Sequence, residues 1–335
     1  MSLAYSLGIQ ERVRVFIRTT RRKLSVDRLM SDYEERLRNE IVRYTALLRG
    51  RMFQQAPMIW QKAEERFADT LKAATGVRNL YEYVARHVRG KDSVEVLGLG
   101  SGACGNELDG IAPLLNEQSC QMNLVCVDIN PDIIEQAKSE ASRRGIKFRG
   151  ILQDANRIVL ESNRYDVIVA YAALHHFVEL DHIAREINRA LRHDGIFVTV
   201  DIPARNGYRM WDETAEIVGA IWKILPDRFK VSHTWYREPT YVAAYENKDF
   251  LGASFECVNS EAILPALRAH LREMHFVPAF SIARRFFDTS FGPNFDWNQP
   301  IDRAIFEFIM QLDAYYLQAG LLRPETFFGA YAKRI

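Results

Sequence analysis

Short, mostly apolar runs recur in the middle of this chain, and helix-start signals follow the first two of them. The runs cover residues 94–99, 124–128, 165–171 and 196–200. Runs of this kind with β-branched members are typical of strands that are buried on both faces of a sheet. Glu107 and Leu108 after the first run, and Asn130 after the second, indicate where helices begin. The pattern therefore predicts an α/β core with a parallel sheet.

The first predicted strand ends in the glycines Gly100, Gly102 and Gly105, which let the backbone turn tightly and approach a ligand closely. This spacing matches the dinucleotide-binding fingerprint, but such a match on its own is weak evidence. Asp128 ends the next strand, where a carboxylate can accept hydrogen bonds from two ribose hydroxyls. NAD, FAD and S-adenosylmethionine satisfy this arrangement equally well. A cap for the helix that begins near Asn130 is the other interpretation of Asp128.

Two later segments favour one of these cofactors. Residues 151–156 approach an acid at Asp154, and the strand at 165–171 leads into the sequence Leu-His-His-Phe at 174–177. A helix end, a glycine turn and a fifth strand follow at 191–201. In this order, over about residues 91–201, the patterns resemble the class I S-adenosylmethionine-dependent methyltransferases, and the histidine motif is typical of members that act on small molecules.

The resemblance implies a fold, a cofactor and a set of cofactor contacts. The fold is a seven-stranded, mostly parallel, doubly wound sheet with an antiparallel last strand, N-terminal helices and an inserted helical cap. The cofactor is S-adenosylmethionine, with S-adenosylhomocysteine as the product. The implied contacts run from the methionine part to the ribose and adenine and then to the transferred methyl: Gly98, Gly100, Gly102, Asp128, Ile129, Asp154, Ala155, Ala170 and Tyr171.

The chain departs from the family pattern at Gly98, where members usually carry Asp or Glu two residues before the first loop glycine. Glu95 does not replace that acid, because strand alternation points it to the other face of the sheet. Contact to the methionine end of the cofactor must therefore come from another residue or be weaker.

Methyl transfer needs in-line alignment of the acceptor and, for a hydroxyl acceptor, removal of its proton. His175 and His176 are the candidate bases, because an imidazole has a near-neutral pKa. They could instead only start a helix and hydrogen-bond its backbone. We expect a small-molecule acceptor, methylation at a hydroxyl oxygen and no metal. Aromatic and basic residues after strand five are tentative acceptor contacts: Arg205, Trp211, His233, Trp235 and Tyr236.

The predicted domain organisation places the acceptor after the fifth strand. The segments are an N-terminal helical arm and lid (1–90), a cofactor-binding core (91–201), an inserted substrate cap (202–256), a return to the core through a helix and strand six (257–289, with the strand within 276–287), a second helical insertion (290–324) and the last core strand (325–335). Ligands of open parallel sheets bind beyond the carboxyl ends of the strands, where the first cap leaves the core.

Composition adds constraints on partners and compartment. The net charge of +1 gives no overall field that would attract nucleic acid. Four cysteines without a CxxC pair indicate reduced thiols, and we expect a cytoplasmic protein with no secretory signal and no membrane-spanning segment. The basic segment 11–24 favours a helical arm or homodimer contact over attachment to an anionic membrane surface.

Two other functions stay open at this point. A non-catalytic scaffold that binds the cofactor would explain the missing acid at Gly98. An NAD-dependent oxidoreductase would use the glycine loop and Asp128, but it gives Asp154 and the histidine motif no role.

Overall fold

The structure is a computed structural model that describes residues 33–50, 55–234, 237–252 and 254–335. Nine strands lie in this part of the chain: β1 (Ser93–Leu99), β2 (Gln121–Asp128), β3 (Lys147–Leu152), β4 (Tyr165–Tyr171), β5 (Leu191–Asp201), β6 (Val231–Thr234), β7 (Arg237–Tyr241), β8 (Leu271–Ala279) and β9 (Thr326–Lys333).

Helices precede the sheet and connect its strands. In the described residues they are α1 (Tyr33–Gly50), α2 (Met58–Thr75), α3 (Leu80–His87), α4 (Ala112–Glu117), α5 (Pro131–Arg143), α6 (Leu180–Ala190), α7 (Asp212–Ile224), α8 (Ile263–His270), α9 (Arg284–Phe287) and α10 (Pro300–Gln318). A π-helical turn, Asn106–Ile111, leads into α4. None of the described helices is both long and apolar enough to cross a bilayer.

The main sheet has seven strands in the order β3-β2-β1-β4-β5-β9-β8. The first five pair in parallel, and β9 runs antiparallel between β5 and β8. The predicted seven-stranded sheet with an antiparallel last strand is confirmed. Strand β8, at the edge of the sheet, begins earlier than predicted. Its first half is exposed and polar, so the sequence there lacks the apolar pattern of a buried strand. Beyond Ala279 the chain leaves the sheet.

The two faces of the sheet carry separate apolar clusters. One contains Val96, Leu124 and Val198, and the other contains Leu97, Val125 and Phe197. This alternation is what a strand buried on both faces requires. The apolar runs of the sequence therefore account for both clusters.

A third apolar cluster lies beside the sheet and joins α2, α7, α9 and α10 around Trp222 and Phe306. The segments that we expect to be insertions, 202–256 and 290–324, thus pack on one another and on α2. The first of them holds one helix, α7, and the antiparallel hairpin β6–β7, so it is less helical than the sequence suggests. The domain boundaries themselves stay predictions.

The cysteines differ from expectation. The structure joins the sulfur atoms of Cys104 and Cys126 in a disulfide, whereas Cys120 and Cys257 are free and buried. The prediction of four reduced thiols is therefore wrong for this pair. Cys104 follows β1 and Cys126 lies on the neighbouring strand β2, so the fold brings together two residues that share no sequence motif.

The antiparallel strand β9 should be essential to the core. Phe327 is fully buried between β5 and β8, so Phe327→Ala should lower the free energy of unfolding by about 3–5 kcal/mol through lost burial and a cavity. Urea unfolding measures this. The control Phe308→Ala, at a half-exposed position on α10, should change it by less than about 0.5 kcal/mol. Equal losses would contradict the placement of β9.

Candidate functional site

A cavity of about 260 Å³ lies at the carboxyl edge of the parallel strands, under helix α1. Its walls come from α1, from the loops after β1, β2, β3 and β4, and from Phe255. Seven of the predicted cofactor residues line it: Gly100, Gly102, Asp128, Ile129, Asp154, Ala155 and Tyr171. Because parallel strands all end at this edge, residues far apart in sequence meet here.

Glycines shape the wall after β1. Gly100 has φ +59°, and its N–H donates to the carbonyl of Val127 at 2.9 Å, which ties the loop to β2. Gly102 has φ +56°, in the left-handed region that favours glycine. This backbone puts the loop against the cavity without intervening side chains.

Asp128 lies at the end of β2 with its carboxylate beside the glycine loop. One oxygen accepts from the Asn130 N–H at 2.9 Å and the other from the Gly102 N–H at 3.3 Å. Burial raises the pKa of Asp128 despite these bonds. The helix cap is Asn130 instead, whose side chain accepts from the Asp132 N–H at 3.0 Å. The capping interpretation therefore belongs to Asn130, and Asp128 keeps lone pairs that face the cavity.

Asp154 begins a short 3-10 turn at the end of β3. Its Oδ1 accepts from the Asn156 N–H at 2.9 Å, and its Oδ2 accepts from the Tyr33 hydroxyl at 2.6 Å. Burial and the neighbouring Asp154 raise the pKa of Tyr33, so the phenol stays a donor. Helix α1 is thereby attached to the adenine side of the predicted site.

Two further polar contacts attach α1 along the same edge. The Asn130 side-chain amide donates to the Thr45 hydroxyl at 2.9 Å. Glu40, itself buried, approaches His176 with 3.1 Å between its carboxylate and Nδ1. The helix therefore covers the cavity from the glycine loop to the histidine motif.

His175 is buried and held by a carboxylate. Its Nδ1 lies 2.7 Å from Asp201, which also accepts from the backbone N–H groups of Ala173 and Leu174. Burial alone would raise the pKa of Asp201, but His175 and the backbone N–H groups of Ile202 and Leu174 hold it below its usual range. His175 does not line the cavity, so it holds the turn after β4 in place.

His176 lines the cavity from the turn after β4. Burial alone would lower its pKa, but the contact with Glu40 and the charges of Glu256, Glu40 and Asp201 raise it above the ordinary imidazole value. The two histidines therefore differ in their surroundings: Asp201 holds His175 in place, and His176 lines the cavity beside the carboxylate of Glu40.

The two histidines of this turn also belong to a group of side chains that could ligate a metal. His175, His176 and Glu256 each offer one ligand atom, and these atoms lie within 4.8 Å of one another. Imidazole and carboxylate ligands suit Zn²⁺. Glu256 is the last residue of the predicted cap 202–256, far from the histidines in sequence, so no motif pointed to it. The absence of a metal stays a prediction.

Several predicted residues lie outside the cavity lining. Gly98 and Ala170 are on strands behind it. Arg205 forms an exposed ion pair with Asp212, the Arg323 guanidinium covers the Trp211 ring, and His233 contacts Asn294 at 2.8 Å. Trp235 and Tyr236 fall outside the described residues, as does the basic segment 11–24. The cavity lining therefore gives these acceptor contacts no support.

Sequence reasoning missed Tyr33 and Glu40, which approach the site from α1. Their helical spacing was visible, but which face of α1 meets the sheet depends on packing between distant segments. Glu107 was noted only as a helix start, and its side chain is fully buried beside Gly98.

The glycine loop can be tested with a matched pair of variants. Gly100→Ala and Gly102→Ala should each lose about 1–2 kcal/mol of stability, because both residues are left-handed. Gly100→Ala should lose more, since its Cβ would lie 3.1 Å from the Phe177 ring and 3.2 Å from Ala173, whereas a Cβ at Gly102 meets nothing within 4 Å. Thermal unfolding compares them, and equal losses would contradict the described packing of the loop.

Comparison with known proteins points to one family. Residues 97–199 match the family model described as a methyltransferase domain. The chain is similar to an uncharacterized methyltransferase, YcgJ, of Bacillus subtilis (strain 168), at 30% identity over 107 residues, 32% of this chain. It is also similar to the sterol 4-C-methyltransferase strm-1 of Caenorhabditis elegans, at 27% identity over 139 residues, 41% of this chain. The chain spans 40% of the length of each of these curated relatives.

Solved structures with a similar arrangement include a geranyl diphosphate C-methyltransferase from Streptomyces coelicolor A3(2) in complex with Mg²⁺, geranyl diphosphate and S-adenosyl-L-homocysteine. It is 13% identical, with 76% of this chain and 77% of that chain covered and a TM-score of 0.41. The [4+2]-cyclase SpnF is 15% identical, with 84% and 98% covered and a TM-score of 0.44. Residues 97–199 thus match a methyltransferase domain, and the observed seven-stranded sheet is the fold that the resemblance to the class I S-adenosylmethionine-dependent methyltransferases implies.

Proposed function

We propose that this chain is an S-adenosylmethionine-dependent methyltransferase that moves a methyl group to a hydroxyl oxygen of a small-molecule acceptor. The observation that carries the proposal is one cavity whose walls hold, side by side, the glycine loop, Asp128 and Asp154. The three groups follow one another along the edge of the sheet where the parallel strands end. Their order suits the methionine part, the ribose and the adenine of the cofactor. The match to a methyltransferase domain over residues 97–199 supports the same reaction class.

The residues present fit this cofactor by the chemistry of their donors and acceptors. Asp128 would accept from the two ribose hydroxyls, Asp154 from the adenine amine, and Ile129 would pack on the adenine ring. The left-handed loop at Gly100 and Gly102 brings backbone rather than side chains to the methionine part. When bound, the cofactor supplies a methyl group already activated on a sulfonium, so the protein's task is alignment and exclusion of water.

His176 is the proposed proton acceptor for the acceptor hydroxyl. It lines the cavity at the turn after β4, where Tyr171 also lines it, and Glu40 stabilises the charged form that the imidazole reaches on taking the proton. His175, tied to Asp201, positions this turn. A carbon acceptor is the alternative, because one relative is named a sterol 4-C-methyltransferase.

A small acceptor is supported by the closure of the site. Helix α1 covers the cavity through Tyr33 and Glu40, and Phe255 closes it from the end of the inserted segment 202–256. We therefore keep this segment as the proposed acceptor side, with Phe255 as the contact that the structure supports.

The scaffold and oxidoreductase alternatives differ from this proposal in what they bind and release. A scaffold binds S-adenosylmethionine but transfers no labelled methyl to any hydroxylated acceptor. An oxidoreductase binds NAD in preference. Calorimetry with the three ligands, followed by a labelled-methyl assay over an acceptor panel, separates them, and tight NAD binding with no S-adenosylmethionine binding would overturn the proposal.

Asp128→Asn should weaken S-adenosylhomocysteine binding about 100-fold, because two charge-assisted hydrogen bonds to the ribose are lost. Isothermal titration calorimetry measures the affinity. Asp212→Asn, at an exposed site on α7, is the matched control and should bind like the wild type. Unchanged binding in Asp128→Asn would place the ribose elsewhere.

The proposed base predicts a shifted histidine titration that needs no knowledge of the acceptor. The His176 ring should titrate above the ordinary imidazole pKa by NMR, and Glu40→Gln should lower that pKa because a raising charge is removed. Glu34→Gln, exposed on the same helix, should leave it unchanged.

Activity should follow the same titration. Since only neutral His176 accepts a proton, the rate should rise with pH through its pKa, and Glu40→Gln should move that rise to lower pH. A pH profile that stays the same in Glu40→Gln would remove His176 from the base role.

A further inference from the structure

The space beside Gly98 is already filled by another carboxylate. A Cβ at Gly98 would lie 2.6 Å from Glu107 Oε1 and 2.1 Å from Ser101 Oγ. Both distances are below those that real Cβ atoms show, so a side chain at position 98 would require Glu107 and Ser101 to move. The missing family acid and the buried glutamate therefore occupy one place in the fold.

Glu107 reaches this place from the π-helical turn Asn106–Ile111. Its side chain is 1% exposed, and its Oε2 has no hydrogen-bond partner. Burial raises its pKa to about 7, and Ser101 and the backbone only partly oppose that rise. In the described part of the chain no cation offsets its charge. A buried carboxylate with an unpaired oxygen and no nearby cation lowers stability unless a ligand pairs with it.

Ser101 connects this carboxylate to the cavity. It lines the cavity wall between Gly100 and Gly102, and its hydroxyl lies against the same position beside Gly98 as Glu107. Glu107 itself is not part of the cavity lining, so the Ser101 hydroxyl lies between it and a cation at the glycine loop. The proposed cofactor carries one cation on its methionine part besides the sulfonium, the α-ammonium group.

We propose that Glu107, together with Ser101, binds the α-ammonium group of the cofactor and thereby replaces the acid that family members carry at the position of Gly98. This inference rests on the proposed function. It gives Gly98 a role in the site, because a Cβ at this position would meet the relocated carboxylate where it lies.

The experiment compares two ligands that differ at the ammonium. S-adenosylhomocysteine carries it, and 5′-methylthioadenosine keeps the adenosine and sulfur but lacks the amino acid part. Glu107→Gln should weaken S-adenosylhomocysteine at least about tenfold by calorimetry, the effect of one charge-assisted hydrogen bond, and change methylthioadenosine less than about twofold. Glu117→Gln, exposed on α4, is the control and should affect neither ligand.

A double variant that moves the acid back to position 98 tests the inference if Glu107→Gln folds poorly. Glu107→Ala combined with Gly98→Asp should regain S-adenosylhomocysteine affinity relative to Glu107→Ala alone, because the acid returns to β1 in the space that is vacated. Gly98→Asp alone should unfold at lower temperature than the double variant, since it meets Glu107 as well as Ser101, whereas the double variant meets only Ser101.

Each outcome decides the inference. Equal losses for both ligands in Glu107→Gln would show a purely structural role and overturn it, as would unchanged S-adenosylhomocysteine binding. A double variant that binds no better than Glu107→Ala would also overturn it. Wild-type protein that binds neither ligand would overturn the proposed function itself, which is a distinct result.

Discussion

The carboxyl ends of β1, β2, β3 and β4 lie side by side at one edge of the sheet, and the rest of the site depends on how the polar groups there are satisfied. Helix α1 covers this edge, so a carboxylate placed there must find protein or ligand partners instead of bulk water. Asp128 bonds to the glycine loop and Asp154 bonds to Tyr33, whereas Glu107 keeps an oxygen without a partner. Of these three acids, Glu107 is therefore the one that we propose pairs with a cation of the ligand.

Covering the site by α1 has an electrostatic consequence as well as a steric one. Glu40 lies on the face of the helix that meets the histidine turn, and its charge is one reason why the pKa of His176 is raised. Docking of the helix and the protonation state of His176 are therefore coupled. A helix that lids a cavity by apolar contacts alone would not have this effect.

The fold and the acids that line the cavity could be predicted because their signals are local in sequence. Residues 94–99 and 165–171 are mostly apolar runs, and Asp128 directly ends a strand. The contacts that complete the site are not local: Tyr33 reaches Asp154 across 121 positions, and the Cys104–Cys126 disulfide joins the loop after β1 to β2. The edge strand β8 was misplaced for a related reason, since a half-exposed strand lacks the pattern that marks a buried one.

The departure at Gly98 shows how a weak sequence signal gains meaning from packing. Sequence alone left open whether the acid was replaced or lost, and the close approach of Glu107 to Gly98 supports replacement. The most direct measurement of this account is a crystal structure with bound S-adenosylhomocysteine. The account predicts ribose hydroxyls on Asp128, adenine beside Asp154 and the ammonium within hydrogen-bond distance of Glu107 or Ser101. A ligand bound in the reverse orientation, or with its ammonium turned away from the glycine loop, would contradict it.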